Sequence, residues 1–148
     1  MGIAEEKFSI ELTFRHDSPD PDSISHALSR QPDLEWKAGE PFLDRLKNST
    51  CWRGTLAYGA GAIGFQEAIE KARSIITQHR DFLLHFKASG GEIEITLKRF
   101  VEMAAVLDSK DDGESQRTEF RLFELELSPD FLKALVDTHV ALRLELWT

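Results

Sequence analysis

Residues 7–15 read Lys-Phe-Ser-Ile-Glu-Leu-Thr-Phe-Arg, an alternation that puts Phe8, Ile10, Leu12 and Phe14 on one side and Ser9, Glu11, Thr13 and Arg15 on the other. A period of two marks a strand with one face in the core and one in water. The pattern returns at residues 92–98, where Ile93, Ile95 and Leu97 alternate with Glu94, Thr96 and Lys98. Strands of a parallel doubly wound sheet are buried on both faces and lose this alternation. The expected fold is therefore α+β: a mostly antiparallel sheet with helices packed on one face, in a two-layer sandwich.

The helices have a different period. Across residues 65–78, Phe65, Ala68, Ile69, Ala72, Ile75 and Ile76 share one face, and Gln66, Glu67, Glu70, Lys71, Arg73 and Gln78 lie opposite. A shorter helix carrying Ile24, Ala27 and Leu28 starts where Asp20 can cap it and Pro21 fits the first turn. Another, through Phe82, Leu83 and Phe86, begins at Asp81 and closes at Gly90-Gly91, and a fourth covers residues 128–138.

Further strands are expected at residues 34–37, 50–58, 120–127 and 140–147. The second of these should put Trp52, Leu56 and Tyr58 on one face, and the last should turn Leu142, Leu144 and Leu146 inward. Residues 100–107 read as a strand extension, residues 31–48 otherwise as a loop, and residues 108–116 as a charged loop. Ser18-Pro19-Asp20 after the first strand is echoed by Ser128-Pro129-Asp130 after residues 123–127. Two duplicated ferredoxin-like strand–helix units would give that echo, and so would ordinary helix-start chemistry.

At 148 residues the chain is long enough for one domain, spanning residues 1–148, to bury a core without disulfides or metal. Its formal net charge of −8 disfavours nucleic acid and anionic membrane, which are bound through Lys and Arg. It favours solubility, or complementarity to a basic partner. Cys51 is the only cysteine, which suits a reducing compartment. The first residues, Met-Gly-Ile-Ala-Glu-Glu, have neither the basic nor the apolar segment of a secretion signal, so the expected location is the cytoplasm.

The sharpest motif is Gly59-Ala60-Gly61-Ala62-Ile63-Gly64, a literal G-x-G-x-x-G between an expected strand and an expected helix. As a nucleotide-binding turn it would receive a pyrophosphate on helix amides. The polar Cys51, Arg53 and Thr55 of the preceding strand, and the want of an acidic residue on a following parallel strand, argue instead for a small-residue connection. Asp108, Asp112, Gly113 and Glu119 fall at calcium-loop spacing, but Lys110 stands where an oxygen ligand is required. No cofactor or metal is expected.

The histidines His16, His26, His79, His85 and His139 show no metal-ligand spacing. His79 and His139 fall near helix C-termini, where an imidazolium meets the helix dipole favourably. His16-Asp17 is a candidate base and orienter, and Cys51 a candidate nucleophile if a histidine reaches it; the alternative for a lone strand cysteine is a small core residue. No catalytic residue is assigned. Outward carboxylates remain at Glu11, Glu94, Glu124, Glu126 and Glu145, all on expected strands, with Arg15, Lys98 and Arg143 among them. An RNA-binding sheet would carry aromatics and cations there. These five are the candidate contact for a basic partner, against solvated charge that deters aggregation.

The run Pro21-Asp22-Ser23-Ile24-Ser25-His26-Ala27-Leu28, then Gln31-Pro32, Trp36-Lys37-Ala38-Gly39-Glu40 and a strand opening at Cys51-Trp52, resembles a family of small bacterial proteins catalogued only as a domain of unknown function. The resemblance implies a bacterial α+β domain and brings no catalytic residue. The sequence thus points to an acidic protein-interaction module, an inhibitor or immunity-type partner of a basic protein. The competing expectation is a nucleotide- or small-molecule-binding protein or enzyme using the turn at residues 59–64.

Overall fold

Strand alternation and helix stripes lead to a mixed five-stranded sheet with its helices against one face. The computed structural model describes residues 6–17, 20–42, 45–100, 104–107, 116–119 and 126–147. In chain order the elements are β1 (Lys7–His16), α1 (Pro21–Leu28), β2 (Leu34–Trp36), β3 (Pro41–Phe42), β4 (Arg45–Leu46), β5 (Thr50–Ala60), α2 (Gly61–Gln78) and α3 (Arg80–Ala88). They continue with β6 (Glu92–Phe100), β7 (Ala104–Leu107), β8 (Gln116–Glu119), α4 (Pro129–Thr138) and β9 (Ala141–Trp147). No helix among the described residues is long and apolar enough to cross a membrane.

The sheet order is β2-β5-β1-β6-β9. β1 is central and antiparallel to both β5 and β6, while β6 and β9 run parallel. β5 and β6 therefore run parallel on either side of β1, which is one split β-α-β unit of the ferredoxin-like kind. β9, after α4, lies directly beside β6, and residues 123–125, in the strand of the expected second unit, lie outside the described residues. The Ser-Pro-Asp echo is capping chemistry: the cap of α1 is Asp20, bonded to the Asp22 amide, whereas that of α4 is Ser128, bonded to the Phe131 amide.

The core lies between sheet and helices. Phe8, Ile10, Leu12 and Phe14 of β1 and Ile93, Ile95 and Leu97 of β6 meet Phe65, Ala68, Ile69, Ala72, Ile75 and Ile76 of α2. Phe14 packs edge-on against Trp52 and Phe86 at centroid distances of 5.6 and 5.1 Å, geometries that aromatic quadrupoles favour. Burying large apolar side chains contributes about 1.5–3 kcal/mol each, which is why α2 holds without a side-chain N-cap. Asp81 lies inside the first turn of α3 rather than capping it; His79 holds the cap position. α3 stops as expected, with Gly90 at φ +100° and the Gly91 amide bonded to the Phe86 carbonyl at 3.1 Å.

Three expectations need correction. Tyr58 is 82% exposed, not inward with Trp52 and Leu56. A bulge explains it: Ile10 pairs with Ala57 but Glu11 with Thr55, so Leu56 is an extra residue and every later side chain of β5 changes face. The expected loop over residues 31–48 contains the short antiparallel pair β3–β4. Finally, Leu142, Leu144 and Leu146 are not buried: they are 36%, 58% and 59% exposed. Their partners in register are Ile95, Leu97 and Arg99, so they do share the helix-side face, but among the described residues β9 is the outermost strand and α4 packs on α2 and α3.

β6 ends at Phe100 and β7 is a separate strand, paired with β8. Of the expected strand at 120–127, residues 120–125 lie outside the described residues, and Glu126 and Leu127 belong to no strand.

Candidate functional site

The sheet face away from the helices carries the outward side chains of β1, β6 and β9, and three of the expected carboxylates stand on it. Cross-strand neighbours decide their state. Glu11 of β1 meets Lys98 of β6 at 3.0 Å, with both side chains largely covered. Glu94 of β6 lies 3.6 Å from Arg143 of β9, and Arg143 lies 3.7 Å from Glu145. The Trp147 indole N–H donates to Glu145 at 3.0 Å, and the Lys98 ammonium sits 5.2 Å from the centre of the Trp147 ring. Thr13 and Thr96 fill the space between these groups and are buried. The face is thus a network of alternating charge, not an acidic plate. Glu124 lies outside the described residues, and Glu126 is exposed beyond any strand, its carbonyl accepting from the Gln66 amide at 3.3 Å.

Negative charge gathers elsewhere, at the β2 edge. Asp20 and Asp22 at the start of α1 face Glu35 on β2 and Glu40 beyond it closely enough to act on its titration. Burial first, then Asp22, Asp20 and Glu40, raise the Glu35 carboxyl above its usual 4.5. Lys37 reaches Asp20 at 3.7 Å. Asp33 is structural: its carboxylate takes the Thr55 amide at 2.8 Å and the Thr55 hydroxyl at 2.5 Å, fixing the loop before β2 onto β5. The sequence did not single this edge out, because its acids come from two elements joined only by the fold.

The turn at residues 59–64 does run from strand to helix. Gly61 takes φ +74°, and its amide donates to the Glu6 carbonyl at 3.0 Å, so that N–H is already engaged. A Cβ on Gly59 would come within 2.9 Å of the Phe8 ring, so that glycine serves core packing. Beside the turn lies an open cleft of about 680 Å³, lined among others by Arg30, Tyr58, Gly64, Glu67 and Lys71. Glu6 is buried and holds Arg99 through two hydrogen bonds of 2.5 and 3.0 Å.

The candidate nucleophile and bases have structural surroundings. Cys51 is fully buried, between Arg15 and Trp36 on neighbouring strands. Burial pushes its thiol up against the pull of Arg15, Arg53 and Lys47, the opposite of an activated thiolate. His16 meets the Ser89 carbonyl at 2.9 Å and its hydroxyl at 3.1 Å, and stacks edge-on to Phe86. His79 and His139 occupy the C-cap positions of α2 and α4, and burial followed by Arg30 lowers the His79 imidazole. Strands β7 and β8, not helices, flank residues 108–115, which lie outside the described residues. Among the described residues no group of three His, Cys, Asp or Glu side chains is placed to hold a metal.

No family model, curated protein or solved structure matches the chain. What the chain does must be argued from its own surfaces.

Proposed function

We propose that this chain is a non-catalytic protein-interaction module that binds a basic partner, as an inhibitor or immunity-type protein would. The observation that carries the reading is the crowding of Asp20, Asp22, Glu35 and Glu40 at the β2 edge. Lys37 already reaches Asp20 there, and a further cation would relieve the charge that, after burial, raises Glu35, whereas Glu11, Glu94 and Glu145 each have a cation beside them. The net charge of −8 adds long-range steering toward such a partner. The sheet-face carboxylates then serve the fold and its solubility, and the contact moves to the α1–β2 edge.

The test is affinity capture from the source organism, followed by stopped-flow association with the purified partner at rising salt. Asp22→Lys with Glu35→Lys should slow association about tenfold or more and flatten its salt dependence, while Glu94→Lys changes it less. An acidic partner, or a rate that the double reversal leaves unchanged, refutes the reading. The cleft beside the turn at residues 59–64 supports a second one, a small anionic ligand held by Arg30 and Lys71. A thermal-shift series with nucleotides and phosphates tests it, since ligand at a hundred times Kd adds about 2.7 kcal/mol.

A further inference from the structure

Among the described residues β9 is the outermost strand on the side opposite β2, and apart from the charges of Arg143 and Glu145 its sequence carries little that protects an edge. Ala-Leu-Arg-Leu-Glu-Leu-Trp has no proline, glycine or lysine, and its pairing with β6 runs without a bulge from Glu94–Ala141 to Phe100–Trp147. Natural sheets blunt such edges with those devices, because an unpaired strand edge recruits another strand. On the helix side the strand exposes Leu142, Leu144 and Leu146, and α4, which leads into it, exposes Leu132 and Val136. On the other side it carries Arg143 and Glu145, with half-exposed Trp147 at its end.

We infer that β9 is a self-association edge, at which two copies of this chain pair antiparallel about a twofold axis through Leu144 and join their sheets into one. The side-chain order is self-complementary in that register. Leu144 meets Leu144 of the second copy, Leu142 meets Leu146, and Arg143 lies opposite Glu145 on both sides of the axis. Moving the axis to residue 143 sets Arg143 against Arg143, and moving it to residue 145 sets Glu145 against Glu145. Like charges directly opposite one another are destabilising. An axis between two residues would oppose leucines to charges, side chains that point to opposite faces and cannot stand opposite one another in a pleated antiparallel ladder. One register alone joins leucine to leucine and acid to base. Such a contact is isologous, the form that most homodimers take. It lies at the far end of the sheet from the acidic β2 edge and is independent of the basic-partner reading.

Sedimentation equilibrium of the full chain over a concentration series tests the inference. The wild type should show a reversible monomer–dimer equilibrium of the 16.8 kDa chain. Arg143→Glu and Glu145→Arg should each weaken the dimer about tenfold, because each sets like charges opposite across the axis twice. An equimolar mixture of these two variants should recover association as a heterodimer. In it the acid introduced at position 143 of one copy faces the base introduced at position 145 of the other, and the native Arg143–Glu145 pair stands on the other side of the axis. A role of either residue only within its own fold would not give that recovery. Leu144→Asp, which places two carboxylates on the axis, should leave a folded monomer by circular dichroism. A wild type that stays monomeric overturns the inference, as does a dimer indifferent to Leu144→Asp or a variant mixture that fails to associate.

Discussion

Replacing Ile76 by alanine leaves only the first carbon of the side chain, at a position with no exposed surface at the C-terminal end of the α2 stripe. The lost transfer free energy is about 0.8 kcal/mol per buried carbon, roughly 2.5 kcal/mol in all. The partly collapsed cavity adds ~1 kcal/mol. Alanine is the better helix former by a few tenths of a kcal/mol, which offsets little. The net cost is about 3 kcal/mol, a large share of the 5–15 kcal/mol typical of a domain. Urea unfolding followed by the fluorescence of the buried Trp52 should show a lower midpoint at unchanged slope. The melting temperature should fall by about 6–12 °C. Ile63→Ala is the control on the same helix, 80% exposed, and should be neutral or slightly stabilising. If Ile76→Ala costs no more than Ile63→Ala, α2 does not pack on the sheet as described, and the two-layer architecture falls with it.

Two further outcomes follow from the site. Cys51, buried and with its thiol pushed up, should resist iodoacetamide in the native protein while the urea-unfolded chain is labelled fully; comparable native labelling would refute its burial. The Glu35 carboxyl, raised on folding, binds its proton more tightly in the folded than in the unfolded chain. It therefore favours folding below the usual carboxylate range, an advantage lost as pH rises through the raised value. Glu35→Gln should melt higher than wild type at neutral pH, and the difference should close as pH falls below about 4.5. A difference that does not change with pH would mean that Glu35 feels no excess of charge.

Most of the framework could be read from the chain because each element carries its own period. β1 and β6 alternate without a break, and α2 repeats at helical spacing, so local sequence places Phe8, Ile95 and Ile76 in the core. The misread positions depend on neighbours far away in sequence. The bulge that turns Tyr58 outward arises in the pairing of β5 with β1, and alternation along β5 alone does not contain it. Leu142, Leu144 and Leu146 alternate as well as any core strand, but exposure follows from being outermost, and strand order is not written in a local pattern. The surroundings of the candidate carboxylates were illegible for the same reason. Glu11 acquires Lys98 from a strand 87 residues on, and Glu94 acquires Arg143, so a list of outward carboxylates could not say which were already neutralised.

The place of β1 has a consequence for how the molecule assembles. The strand nearest the start of the chain is the middle of the sheet, and it must wait for residues 50–60 and then 92–100 before both of its edges are closed. Pairings of such long sequence separation slow the search for the native state, because the intervening loops lose their entropy before the contacts form. On a ribosome adding about 5–20 residues per second, Phe8, Ile10, Leu12 and Phe14 spend seconds with an open strand edge on either side. Made before both of its partners, β1 waits longer for its pairing than either, and a chaperone that binds extended apolar peptide could meet it before β5 and β6 cover it.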